Sequence, residues 1–255
     1  MRTPVILVAG QKESGPVVGA LLRSPGTVVV EHRLDGHVVR RTTVTLQHGV
    51  LTTAETGLEI AHGCVSCTIR NDLLVLLRQL HRRGDVDRVV VHLAPWLEPE
   101  PICLAIDHIR VRVRRGYVDG PAALDVSIAA VVTCVDASAW LSQALGDAQL
   151  DDGRTRAQVV VGQAEFADVA VLNRADPFVA AVLRRLSPRA RIRVGADGIE
   201  HALGNLYRDA RRGRSDDPVG RSRTARSPRR STSAARAAPA IRSRRPRRPR
   251  SSRPR

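Results

Sequence analysis

A chain of 255 residues is long enough to bury one or two cores, and with so few aromatics that interior must be built from Val, Leu, Ile and Ala. That composition favours layered α/β packing, in which Val-rich runs become buried parallel strands. The formal charge of +16 is concentrated at one end, because residues 221–255 hold 14 Arg and no acidic residue; the rest of the chain is close to neutral, so any nucleic-acid footprint rests on the tail.

Taken in order, Val5–Ala9 is a continuous apolar run ending at Gly10 and reads as a buried first strand. Gly15–Arg23 reads as a helix with Pro16 in its first turn. Thr27–Glu31 and Val38–Leu46 read as strands, the second more exposed. Leucines at 73, 74, 76, 77 and 80 give Ile69–Arg82 a helical stripe, with Asn71 and Asp72 expected in its first turn, where an acid suits the helix dipole. Further strands are expected at Val86–Leu93, Ile128–Val135, Val169–Leu172 and Arg191–Val194, and helices at Arg156–Ala167, Pro177–Leu186 and Ile199–Arg208. Strands alternating with helices at this spacing predict an α/β fold with a mostly parallel sheet and flanking helices. Ligands of such sheets bind beyond the carboxyl ends of the strands. Gly10–Gly15, His92–Pro99, Asp136 and Asn173–Asp176 fall there.

Residues 1–210 are expected to form one domain and residues 211–255 a disordered basic tail, since Arg, Pro, Ser and Ala cannot bury a core. The four cysteines do not make a secreted disulfide framework; Cys103 and Cys134 sit in apolar context and read as buried thiols. Val5–Ala9 is too short for a signal segment, and no run approaches the ~20 apolar residues of a membrane span. The expected compartment is the cytoplasm.

Three motifs carry chemistry. Gly10-Gln11-Lys12-Glu13-Ser14-Gly15-Pro16-Val17 lies between a strand and a helix and keeps the G-x-x-x-x-G spacing of a P-loop. The Lys that would reach the β- and γ-phosphates is Pro16, and the Ser or Thr that would hold Mg²⁺ is Val17. Pro also removes a backbone donor from the phosphate cradle. Lys12 inside the loop is the remaining cation, and an ordinary strand-to-helix turn is the other reading. Asn173-Arg174-Ala175-Asp176 matches the N-K-x-D guanine-reading element with Arg for Lys; alternatively it is a polar loop ahead of Pro177. His62-Gly63-Cys64-Val65-Ser66-Cys67 opens the leucine-striped helix. A C-x-x-C can bring two thiolates to Zn²⁺, and a helix N-terminus favours the thiolate form. His62, His32, His92, Asp72 or an outside partner would complete the ligand set. A redox pair or two inert thiols are the alternatives.

Together these motifs resemble the CobW-like family of P-loop GTPases and metallochaperones over about residues 4–210, the firmest part being Ile60 to Leu74. Where the family has G-C-x-C-C, this chain keeps Cys64 and Cys67 and carries Ser66. Where the family's I-E-T-S-G-x-x-x-P motif supplies the Walker B acid, the chain reads Val91 to Pro99 with His92 at that place. The resemblance implies a nucleotide site formed by Gly10, Lys12, Gly15, Asn173, Arg174 and Asp176, and a metal site formed by Cys64, Cys67 and His62. It implies Zn²⁺ and GTP as ligands. It does not imply efficient hydrolysis, which needs the Lys and a Mg²⁺ site.

Pro4–Gly10, Ala61–Leu77, Val89–Pro101 and Gln158–Leu172 are also similar to an actinobacterial branch of the family that recruits a ribosome hibernation factor under zinc limitation. That branch implies a hibernation-promoting factor and the small ribosomal subunit as partners, with the domain as an adaptor. On this resemblance the family's smaller C-terminal domain is expected to be missing, with the Arg-rich tail in its place. Such composition is what an out-of-frame reading of a GC-rich gene produces; the rival is a basic arm making nonspecific, salt-sensitive rRNA contacts.

Overall fold

A computed structural model describes residues 1–10, 14–60, 63–114 and 116–211, with the side chains of residues 205 and 207–211 excepted. Lys12, His62 and residues 212–255 lie outside that set, and with them the expected tail disorder.

Among the described residues ten strands run in chain order as β1 (Thr3–Gly10), β2 (Thr27–Asp35), β3 (Val38–Gln47), β4 (Val50–Glu59), β5 (Arg88–His92), β6 (Arg110–Val111), β7 (Gly120–Pro121), β8 (Val126–Val135), β9 (Val169–Leu172) and β10 (Arg191–Val194). The helices are α1 (Ser14–Leu22), α2 (Val65–His81), α3 (Pro99–His108), α4 (Trp140–Leu145), α5 (Arg156–Glu165), α6 (Pro177–Leu186) and α7 (Ile199–Arg211). Eight strands form one sheet in the order β10-β9-β8-β1-β5-β2-β3-β4. From β10 to β2 the pairings are parallel; β3 and β4 extend the sheet as an antiparallel hairpin. The expected mostly parallel sheet is therefore present, with helices against it. β6 and β7 make a separate two-stranded ribbon.

The strands alternate their faces. Val5, Leu7, Val28, Val30, Val89 and Val91 pack toward α2 and α3, while Ile6, Val8, Val29 and Val90 pack toward α1 and α7. Both faces are apolar, so the central strands read as continuous Val-rich runs. A third cluster joins α4, α5 and α6 around Trp140, Val160, Leu172 and Leu183. Cys103 and Cys134 are buried and outside the disulfide, as expected.

One sequence expectation is corrected at α2. The helix begins at Val65, not Ile69, so Asn71 and Asp72 lie beyond its first turn and no acid faces the dipole there. Cys64 explains the earlier start. It is the N-cap, and its Sγ accepts a hydrogen bond from the Cys67 N–H at 3.2 Å. Asp72 is spent on a tertiary contact instead: Oδ2 meets His32 Nε2 at 2.8 Å and Oδ1 accepts from Arg41 at 2.7 Å. These bonds tie the helix to β2 and β3.

Candidate functional site

The strand ends place four groups along one edge of the sheet. At the end of β1, Gly10 has φ +128° and pairs with Cys134 of β8. A Cβ there would lie 2.3 Å from the Cys134 carbonyl oxygen, so only Gly lets β1 close on β8. Gly15 has open space around it and no such constraint. Pro16 is exposed at the start of α1, and Val17 is buried in the core beside Ile6 and Leu21. The position that would hold Mg²⁺ therefore carries a core methyl group and no ligand atom. The residues present do not fit Mg²⁺-dependent phosphate chemistry.

His92 ends β5 and pairs in register with Val8 on one side and Glu31 on the other. Its Nε2 lies 2.7 Å from Ser14 Oγ, and its Nδ1 lies 3.7 Å from Glu31 Oε2. The His92 ring is the largest influence on Glu31 and, with help from Arg33 and against burial, draws its pKa down from 4.5 to about 2. Glu31 is thus ionised across the physiological range. Sequence reasoning singled out His92 but missed Ser14 and Glu31, because only the β2–β5 register brings them together. The following segment is held from α5 and the loop before it: Gln163 donates to the carbonyls of Pro95 and Leu97, while Arg154 bonds Glu98 and the Trp96 carbonyl.

Asn173–Asp176, the stretch that matches a guanine-reading pattern, sits at the end of β9. Asn173 Oδ1 accepts from the Ala137 N–H and its Nδ2 donates to Asp136, both at 3.0 Å, so it bridges the ends of β8 and β9. Hydrogen bonds from Ser138, then Asn173, hold the Asp136 carboxyl below the usual carboxylate range. Arg174 is exposed. Asp176 is the N-cap of α6, with Oδ1 accepting from the N–H groups of Phe178 and Val179 at 3.0 Å. The structure therefore gives Asp176 a capping task, one that the polar-loop reading also allows.

Cys64 and Cys67 are half-buried at the head of α2 and joined as a disulfide. The bonded pair is the arrangement of the redox alternative; zinc would require it reduced. Among the described residues no three His, Cys, Asp or Glu side chains gather as a metal site. His32 and Asp72 bond one another, and His92 faces Ser14 and Glu31, so none of them joins the cysteines.

Asp72 yields an acid-stability prediction. Burial works to raise its carboxyl, but the bonds from His32 and Arg41 outweigh it and hold the pKa below the ordinary value. A lowered folded pKa adds stability that is complete above the unfolded pKa, about 4, and fades as the pH drops through the folded one. Asp72→Asn should be less stable than the parent at pH 7, with the gap narrowing below pH ~4 in urea titrations across pH.

Comparison with known proteins agrees with this architecture. The profile described as CobW/HypB/UreG, nucleotide-binding domain, matches residues 29–194. The chain is 68% identical over 218 residues to a protein of Mycobacterium tuberculosis named zinc chaperone Rv0106, covering 86% of this chain and 55% of that protein. It is 29% identical over 135 residues to the zinc chaperone CobW of Pseudomonas aeruginosa, covering 50% of this chain and 35% of that protein. It is 28% identical over 158 residues to the zinc-regulated GTPase metalloprotein activator 1 of Dictyostelium discoideum, covering 54% of this chain and 31% of that protein. The chain thus spans about half the length, or less, of the curated relatives it matches. No solved structure matches it. With a family profile covering most of the chain and a parallel sheet that brings Gly10 and the N-R-x-D stretch to one edge, this chain belongs to the CobW/HypB/UreG family.

Proposed function

We propose that this chain is a zinc-carrying member of the family, in which the reduced Cys64–Cys67 pair takes the ion and GTP, where bound, is hydrolysed poorly or not at all. The observation that carries this is the head of α2. Cys64 Sγ accepts the Cys67 N–H, so the helix N-terminus favours negative charge on sulfur, the form that binds zinc. Relatives named zinc chaperones support the cargo. Two thiolates fit Zn²⁺ as half a tetrahedral set, and the remaining ligands come from His62 or from the protein that gives or receives the ion. For nucleotide, Asn173, Arg174 and Asp176 would face the base and Gly10 the phosphates, while Pro16 and Val17 leave no Mg²⁺ anchor.

The test is a zinc titration of the reduced full chain against a chromophoric chelator. We expect one ion per chain, with Cys64→Ser and Cys67→Ser each weakening binding at least ~10-fold and Cys103→Ser changing nothing. Zinc affinity untouched by both serine variants would reject the reading. GTP is tested in parallel with Asp176→Asn, which keeps the α6 cap but removes the carboxylate that would accept from guanine. Loss of GTP binding with an unchanged melting temperature supports a base-reading role, and unchanged binding removes it.

A second reading follows from Pro16, Val17 and His92 replacing the hydrolytic positions together. A domain without that chemistry suits an adaptor that docks a hibernation-promoting factor on the small ribosomal subunit in the cytoplasm. Among the described residues no helix is long and apolar enough to cross a membrane. Tagged chain that retains neither the factor nor small subunits from zinc-limited cells would eliminate this reading.

A further inference from the structure

We propose that Ser14, His92 and Glu31 form a serine-hydrolase constellation that cleaves small acyl esters. The order of contacts is the one such chemistry needs: a hydroxyl on the imidazole Nε2 and a carboxylate on its Nδ1 side. Ser14 Oγ is 2.7 Å from Nε2, within range for direct proton transfer. Glu31 Oε2 is 3.7 Å from Nδ1, just outside hydrogen-bond length, and it is ionised. It therefore favours the tautomer with hydrogen on Nδ1, which leaves the Nε2 lone pair facing Ser14. The three residues come from different parts of the fold. Ser14 opens α1, and the β2–β5 register sets Glu31 beside His92.

The nucleophile's position also suits the reaction. Ser14 stands where a strand turns into a helix, and the first N–H groups of α1 have no acceptors within the helix. The Gly15 N–H, immediately after the nucleophile, is the backbone donor that would serve an oxyanion. Pro16 contributes no donor, so this hole is narrow. Ser14 is 4% exposed, whereas the His92 and Glu31 side chains are 20% and 32% exposed. With the hydroxyl buried and its two partners more exposed, the proposal is confined to small acyl groups that would come in beside His92 and Glu31.

In the reaction, Ser14 Oγ bonds to the acyl carbon while its proton passes to His92 Nε2. The tetrahedral intermediate collapses as the ester C–O bond breaks, and the leaving alcohol takes the proton from Nε2. Water then attacks the acyl-serine, giving its proton to Nε2; carboxylic acid departs and Ser14 recovers the proton. Glu31 is a positioning residue that steadies the imidazolium throughout.

The experiment treats the purified full chain with a fluorophosphonate probe at neutral pH, locates the adduct by peptide mass spectrometry, and follows p-nitrophenyl acetate hydrolysis. We expect one adduct, on Ser14, and turnover that Ser14→Ala abolishes. His92→Gln keeps a hydrogen-bonding partner for Ser14 but cannot take its proton, and it should label at least ~100-fold more slowly while giving the parent's circular dichroism. Glu31→Gln should slow labelling about 10-fold, and Glu31→Asp should restore part of the rate, which a purely structural role would not do. No adduct on Ser14, or labelling of folded His92→Gln at the parent rate, overturns the proposal.

Discussion

Gly10→Ala should be among the most destabilising single substitutions in this protein, whereas Gly15→Ala, five residues on in the same motif, should be neutral or stabilising. At Gly10 the new Cβ would lie 2.3 Å from the Cys134 carbonyl oxygen, which belongs to the neighbouring strand and cannot swing aside like a side chain. The φ of +128° adds backbone strain for any L side chain. Strain and overpacking together cost about 2–6 kcal/mol, a large part of the ~5–15 kcal/mol that a domain holds in reserve. Gly15 lies in the first turn of α1 with nothing within 4 Å of its Cβ direction. Replacing Gly by Ala in a helix gains up to ~1 kcal/mol. Urea unfolding of the two variants measures the contrast. Equal stabilities would mean that β1 and β8 do not close at Gly10 as described. The pair also separates two roles that a G-x-x-x-x-G pattern merges: the first glycine serves the sheet, and the second is free to serve a ligand.

Arg78→Met should cost about 3–5 kcal/mol, although it replaces a charge with an apolar side chain of similar length in an apolar setting. Arg78 is 2% exposed on α2, among the leucines of the stripe. Its Nε donates to Asp125 at 2.7 Å and its Nη1 to the carbonyls of Val118 and Gly120 at 2.8 and 3.3 Å. The guanidinium also lies 5.7 Å from the Tyr117 ring centre, over which Arg82 packs at 3.8 Å. Met leaves a carboxylate and two carbonyls without their donor, and that desolvation dominates the loss. Combining it with Asp125→Leu should recover a good part of the stability, because the pair is then removed whole. A double-mutant cycle in urea checks the coupling. Additive losses would show that Arg78 acts through packing alone.

Arg78 also illustrates what the sequence could not disclose. In the stripe Leu73-Leu74-Val75-Leu76-Leu77-Arg78 the arginine reads as the edge of the apolar face, and its partners lie about 40 residues away or more. The βα repeats in the second half were legible almost to the residue. Val169–Leu172, Pro177–Leu186 and Arg191–Val194 are short apolar or amphipathic runs bounded by polar loops and Pro, so local signals suffice. β4 went unread because Val50–Glu59 is exposed along nearly its whole length and has no apolar face to alternate. A local signal was available: His48 and Gly49 both take positive φ, at 51° and 78°, as the two-residue turn of a tight hairpin requires. α3 was missed despite Pro99 and Glu100 in its first turn. At the candidate site, motif spacing singled out Gly10 and Cys64, and the family resemblance singled out His92. Ser14 and Glu31 were not singled out, since their meeting with His92 depends on which strands pair.

The placement of β1 at the centre of the sheet has a consequence for the chain as it emerges from synthesis. β1 is made before both of its partners, β5 and β8, the latter starting at Val126. At ~5–20 residues per second the apolar segment Thr3–Gly10 waits about 6–25 s for β8. The β3–β4 hairpin, whose strands are joined by two residues, closes within microseconds of appearing. The β3–β4 hairpin at one rim is therefore formed while the apolar β1 still lacks β8, and β9 and β10, at the opposite rim, come last. This protein should depend on a holdase during translation more than its finished stability would suggest.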